Sequence, residues 1–142
     1  ENTLGAIFVD AAASSDFTDK NTIIYGHRMK DGSMFRKLEE YKDKDFWKEN
    51  PYFYIYTPDG KEITYKIYSV GQVLDTSDTY LTSFAEEDYQ KFLDMTMKEA
   101  DYDTGVKVTT DDTIVTLSTC TAASDEHRFV VRGVKEKEVE LQ

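Results

Sequence analysis

The chain has 142 residues, 28 acidic against 17 basic for a formal net charge of −11, with 39% hydrophobic and 13% aromatic side chains. That length suits one domain over residues 1–142 with a sizeable buried core, and the apolar and aromatic content argues against disorder. The acidic balance argues against nucleic acid as a partner, because a phosphate-binding face needs clustered Lys and Arg, and a single cysteine excludes an internal disulfide and a Cys-rich zinc site.

No stretch approaches the roughly 20 apolar residues that span a membrane. The opening "ENTLGAIFVD" reads as the approach to a strand and not as a targeting segment, so the expectation is that the sequence begins inside a longer protein. "GAIFVD" predicts a short strand, "AAASSDFTDKN" a polar loop, and "TIIYGH" (Thr22–His27) a second strand with Ile23, Tyr25 and His27 on one side. Asp31-Gly32 signals a turn, and Ser33 caps a helix expected from Met34, with Phe35, Leu38 and Tyr41 at helical spacing. Phe46 and Trp47 predict a further helical turn before Pro51. In "YFYIYTPDGKEITYKIYSVGQVL", two β-rich arms flank Pro58-Asp59-Gly60, residues that favour a tight reversal. "SFAEEDYQKFLDMTMKEADY" predicts the longest helix: Ser83 and Glu86 form a capping-box pattern, and Ala85, Tyr89, Phe92, Leu93, Thr96 and Ala100 make one mostly apolar stripe. Two strands close the chain, "TIVTLST" running to Cys120 and "RFVVRGV" starting at Arg128. Strands do not alternate regularly with helices, so a mainly-β barrel or sandwich with helical insertions is expected in place of a doubly wound sheet.

Three polar residues stand at strand ends: His27, Cys120 and Arg128. If the last two strands are neighbours, the short loop 121–127 brings Cys120 and Arg128 close. A cysteine with a distant histidine is a recurrent nucleophile arrangement, yet a lone cysteine is most often a small buried apolar residue, Arg128 has many acidic residues to pair with, and His127 is a rival for the base role. Two histidines and one cysteine at these spacings match no zinc pattern, so no metal and no cofactor are expected.

"NTIIYGHRMKDGSMFRKLEEY", "TLSTCT" and the arginine opening "RFVVRGV" resemble, in that order, the sortases, and most nearly the class B sortases, cysteine transpeptidases of Gram-positive cell surfaces. "IYGH" looks like the family's histidine motif, "TLSTC" like its TLxTC cysteine motif, and the helix Phe84–Ala100 like the helical insertion of class B. Class B members often carry Asn after the histidine, where this chain has Arg28. The resemblance implies a sortase-like closed β-barrel with helical insertions. It also implies that an N-terminal helical portion and the first strand are missing from this chain.

The same resemblance implies a chemistry. Cys120 attacks the carbonyl of a threonine in a sorting motif near the C-terminus of a surface protein, His27 serves as acid and then base, and Arg128 donates to the oxyanion. The resulting thioester passes to an amine of the peptidoglycan cross-bridge, or to a pilin lysine if the enzyme polymerises pilins. Class B members favour motifs that begin Asn-Pro or Ser-Pro and end around Thr-Gly or Thr-Asn. The family groove lies beside a connection that corresponds here to about Asp75 to Thr110, which makes Tyr80 and Leu81 candidates for lining it. Ser118 points to the side of Cys120 by strand alternation and is the third candidate for substrate binding, whereas Thr119 points away and reads as structural. The implied location is the extracellular face of the membrane, through an anchor absent from this chain. A non-catalytic binding module with the same fold and an unrelated hydrolytic cysteine peptidase are the rival readings.

Overall fold

A computed structural model describes residues 7–10, 19–25, 33–119 and 126–141. The turn at Pro58-Asp59-Gly60 joins β3 (Tyr52–Tyr56) to β4 (Lys61–Leu74) as an antiparallel hairpin, with Phe53 opposite Tyr65 and Ile55 opposite Ile63. Gly60 takes a φ of +88° there, a region that a side chain disfavours. β4 pairs antiparallel with β6 (His127–Glu140), β6 antiparallel with β5 (Ile114–Ser118), and β5 parallel with β2 (Asn21–Tyr25). β1 (Ile7–Asp10) lies parallel to β3 at the other edge, giving a six-stranded order β1-β3-β4-β6-β5-β2 among the described residues. The mainly-β, barrel-type architecture expected from the sequence is present as a sheet curled into a half-barrel. Register shifts at Thr64/Tyr65 and Ile67/Ser69 contribute to the curl, because a bulge bends its strand and increases the local twist.

Strand alternation divides the apolar residues between two faces. Ile24, Val115, Leu117, Phe129 and Val131 pack with Phe53, Ile55 and Ile67 inside the curl. Leu38, on α1 (Ser33–Glu40), and Tyr41 just beyond it complete this core, and the Tyr41 hydroxyl donates to the Asn50 carbonyl at 2.7 Å. Asp43 caps α2 (Lys44–Glu49) by accepting from the Asp45 amide at 2.9 Å. On the outer face, α3 (Glu86–Lys98) presses Tyr89, Phe92 and Leu93 against Tyr68, Ile114 and Val134. Tyr89, Phe92, Leu93 and Thr96 of the expected stripe are buried, whereas Ala85 at its start is exposed.

Two local expectations need correction. The Ser83–Glu86 capping box does not form: the N-cap is Ala85, which makes no side-chain hydrogen bond. Ser83 lies two residues before that cap, and Glu86, Glu87 and Asp88 in the first turn complement the helix dipole instead. The last strand also runs well past "RFVVRGV", through the charged stretch Lys135–Glu140, which reads as polar but pairs with the start of β4. Lys61 lies 3.4 Å from Glu138 there, and Lys135 2.8 Å from the same carboxylate. α1 begins at Ser33 itself, one residue earlier than expected and within the usual variation of helix boundaries.

Gly133 sits beneath the stacked rings of Phe53 and Tyr65, whose centroids are 5.3 Å apart. A β-carbon at residue 133 would lie 2.6 Å from Phe53 Cε2 and 2.8 Å from Tyr65 Cβ. Gly133→Ala is therefore expected to lower stability by about 1–3 kcal/mol through overpacking, read from the urea midpoint. Burial also pushes the Tyr41 and Tyr65 phenols well above their ordinary value and that of Tyr68 up to about 12. An unfolded tyrosine loses its proton near pH ~10, so above that pH the unfolded chain binds fewer protons than the native one and stability falls as pH rises. The urea midpoint should hold below pH ~10 and decline steadily towards pH ~12, with tyrosinate absorbance appearing together with unfolding.

Candidate functional site

β5 is buried along its whole length, and its end is the geometric centre of the site. Because β2 runs parallel to β5, with Tyr25 opposite Ser118, the two chains leave the sheet at the same end. β6 enters at that end: the Thr119 amide donates to the Phe129 carbonyl at 3.0 Å, and the Phe129 amide donates back to Thr119 Oγ1 at 2.9 Å. Arg128 precedes Phe129 and stands opposite Val73 of β4. Val130 is paired with Ser118, so counting by twos places Arg128, Val130 and Arg132 on the face that also carries Ser118 and Thr116.

The sequence-derived site residues distribute over this rim as follows. Arg128 donates from Nη1 to the His127 carbonyl at 3.0 Å, and its Nη2 lies 3.7 Å from Asp75 Oδ2. Ser118 is fully buried; its hydroxyl donates to the Thr119 carbonyl at 3.0 Å and hydrogen-bonds the Tyr80 phenol at 2.8 Å. With the serine proton directed to Thr119, the phenol is the donor of that pair. Tyr80 also stacks on Tyr25, ring centroids 5.9 Å apart. Burial raises its pKa, the Ser118 hydrogen bond opposes the rise, Tyr25 adds to it, and the charges of Arg128 and Arg132 oppose it. Leu81 is 48% exposed and lines a cleft of about 430 Å³ with Asp78, Phe84, Phe92 and Met95. Thr119 is buried and closes the β5–β6 ladder. His27 and Cys120 lie outside the described residues.

Several neighbours of this rim were not singled out from the sequence. Arg132, fully buried, donates from Nη1 to Ser69 Oγ at 2.7 Å and from Nη2 to Thr79 Oγ1 at 2.8 Å, and Nη2 lies 3.5 Å from Glu99 Oε1. Burial works against its charge, which Glu99 and Asp101 favour. Thr79 belongs to a 3₁₀ turn, Asp78–Tyr80. Buried Asn21 donates from Nδ2 to the carbonyls of Thr79 (3.0 Å) and Leu81 (2.8 Å) while its Oδ1 accepts from Thr116 Oγ1 (2.8 Å). One signal for Arg132 was available: a second arginine four residues after Arg128 falls on the same strand face. Nothing local marks Asn21 or Thr79. A separate cleft of about 620 Å³, lined by Trp47, Lys66, Lys107 and Lys135 among others, lies seven residues down β6 from Arg128, about 23 Å at strand rise, and so is not part of this rim.

A curled, mainly-β half-barrel with a helix-bearing connection beside the β5–β6 rim defines a class of protein, and the comparisons agree with it. The sortase-domain family model matches residues 1–136, and the chain belongs to the sortase family. Its relatives narrow the likeness to class B. It is 41% identical over 134 residues to Sortase B of Listeria monocytogenes, covering 91% of this chain and 53% of that protein. It is 36% identical over 124 residues to Sortase B of Staphylococcus aureus, covering 86% and 50%. The chain thus spans about half the length of the curated relatives it matches. Among solved structures, it superposes on a Staphylococcus aureus sortase B–substrate complex with a TM-score of 0.74 at 33% identity, covering 84% of this chain and 56% of that one. The corresponding figures for Clostridium perfringens sortase B are 0.71, 31%, 84% and 67%.

Tyr80→Phe removes the phenol donor from a half-buried hydrogen bond and leaves Ser118 its bond to Thr119. The expected loss is about 0.5–1.5 kcal/mol, measured by chemical denaturation, with the β-sheet circular dichroism unchanged.

Proposed function

We propose that this chain is the catalytic domain of a class B sortase, a cysteine transpeptidase acting at the bacterial cell surface. The observation that carries the reading is the register of three strand ends. The pair Tyr25–Ser118 is the last one of β2 with β5, and the two strands run in the same direction. His27 and Cys120 each stand two residues beyond that pair in the sequence. Arg128 is the second residue of β6, the strand that hydrogen-bonds Thr119, the residue immediately before the cysteine. The described ends of β2, β5 and β6 meet at one rim, and in the sequence His27 lies far from Cys120 and Arg128 yet, like them, within two residues of a strand end.

The chemistry these groups suit is acyl transfer. A cysteine thiol of ordinary pKa, ~8.5, is mostly protonated at neutral pH, and the guanidinium of Arg128 and an imidazolium at His27 favour the thiolate. The Cys120 sulfur attacks the carbonyl carbon of the threonine in the sorting motif, and the C=O electron pair moves to oxygen. Arg128, permanently charged, donates hydrogen bonds to that oxyanion. As the intermediate collapses, the peptide C–N bond breaks, and His27 gives its proton to the departing amine, leaving a thioester on Cys120. An incoming amine then attacks the thioester, His27 accepts its proton, and the thiolate leaves as the new amide forms. The titration range of histidine suits it to both directions. Tyr80 and Leu81 form the wall along which the sorting motif lies, with Ser118 behind the Tyr80 phenol. The likeness to a structure solved as a sortase B–substrate complex supports a peptide ligand. The acceptor in this reading is a peptidoglycan cross-bridge amine, and the substrates are surface proteins that carry the motif.

Mass spectrometry of the intact protein incubated with a panel of candidate sorting peptides tests the reading. The wild type should gain one acyl group and lose it to an added cross-bridge-like amine, and Cys120→Ala should gain none. Turnover should fall about 10²–10⁴-fold in His27→Ala and about 10²–10³-fold in Arg128→Ala. An adduct that persists in Cys120→Ala, or a wild type that hydrolyses peptide with the amine never incorporated, would falsify it. Transfer only to a pilin lysine would instead identify a pilin polymerase.

A further inference from the structure

We infer that Arg132, Thr79 and Asn21 form a buried clasp that aims Tyr80 into the peptide groove, making Arg132 and Asn21 positioning residues; this rests on the reading of Tyr80 and Ser118 as groove residues. Thr79 is fully buried and held at three of its polar atoms. Its Oγ1 accepts from Arg132 Nη2 at 2.8 Å, its carbonyl accepts from Asn21 Nδ2 at 3.0 Å, and its amide donates to Ser77 Oγ at 2.9 Å. Asn21 reaches past it to the Leu81 carbonyl at 2.8 Å, so the carbonyls of the residues before and after Tyr80 are both held from β2. Arg132 extends the clasp to α3: Ser69 Oγ accepts from Nη1 and passes its own proton to the Thr96 carbonyl at 2.6 Å, and Glu99, at the helix end, lies 3.5 Å from Nη2.

The consequence is geometric. The 3₁₀ turn is short, and its internal bonds from the Tyr80 and Leu81 amides are 3.3 and 3.0 Å long, which would not by themselves fix the direction of a side chain. The clasp grips the residue before Tyr80 and the residue after it. With its Cα direction so set, the phenol reaches the β2–β5 edge, where it stacks on Tyr25 and donates to Ser118. None of the clasp residues is an end group of the rim, so the clasp acts on where the peptide lies and not on the reacting atoms.

Thr79→Val keeps the side-chain shape and removes the acceptor, and Thr79→Ser restores it. In the intact protein, Thr79→Val should raise KM for the sorting peptide about tenfold while kcat stays within about twofold and Cys120 alkylation by a small thiol reagent keeps its rate; Thr79→Ser should return KM to within about threefold of the wild type. Amide exchange at Tyr80 and Leu81 should quicken about tenfold or more in Thr79→Val, with the β4–β6 amides unchanged. Unchanged KM and unchanged exchange in a folded Thr79→Val overturn the clasp, as does a matched fall of kcat and alkylation. If Thr79→Val does not fold, Glu99→Ala, at a partly exposed helix end, takes its place, with a KM rise of about threefold expected and an unchanged KM overturning the inference. A wild type that forms no adduct with any peptide refutes the transpeptidase reading and the groove role together, and the exchange arm then decides separately whether the clasp holds the turn.

Discussion

Strand β5 is paired on both sides, parallel to β2 and antiparallel to β6, and this double pairing is the constraint on which the site depends. A one-residue slip on either side would exchange the two faces of the strand. Val115 and Leu117 would then leave the apolar interior, and Thr116 and Ser118 would enter it. Burial of Val115 and Leu117 therefore fixes the register that holds Tyr25, Ser118 and Val130 in one row. The ends of β2, β5 and β6 converge for the same reason that the core packs.

The outer face of that strand poses a second problem, because it is also buried yet carries polar side chains. An unpaired buried hydroxyl or amide costs about 1–3 kcal/mol, and an uncompensated buried charge several times that. The molecule meets this with one connected network. Thr116 donates to Asn21, Asn21 donates to the backbone of the 3₁₀ turn, and Arg132 donates to Ser69 and Thr79 with Glu99 nearby. Only Nε of the guanidinium is left without a partner. Exposed ion pairs such as Lys42–Glu39 contribute at most ~1 kcal/mol and restrict little. A buried network is costly when any member is lost, which is why it can hold a short turn in one place.

How far the sequence disclosed this varies with the range of the interaction. Local patterns were legible: the Pro58-Asp59-Gly60 hairpin, the α3 stripe and the strands around Ile24 and Leu117 all rest on periodicity or turn chemistry within a dozen residues. The Ser83–Glu86 pattern misled because a capping box is recognised by spacing alone, and here the chain enters the helix at Ala85. The charged end of β6 was missed because its strand character comes from pairing with Lys61–Thr64 and not from apolar alternation. Motifs pointed to His27, Cys120 and Arg128, strand alternation to Ser118, and the family's groove position to Tyr80 and Leu81. Asn21, Thr79 and Arg132 serve only through one another, across separations of 53 and 58 residues, and no single-sequence pattern encodes that.

The hydroxyl pair at the rim also constrains how a peptide can be read there. Ser118 directs its only proton to the Thr119 carbonyl and receives one from Tyr80, so a single lone pair is left. It can accept from a peptide N–H in that state, but to donate to a peptide carbonyl it must first release Thr119, which sits beside Cys120 in sequence. Ser118 is moreover fully enclosed, whereas Tyr80 is half-buried. In the proposed function a peptide would therefore meet the phenol first, and any contact with the serine would require the phenol to move. Holding Thr79 and Leu81 confines that movement to the Tyr80 side-chain torsions, so the ring can move without loosening β5.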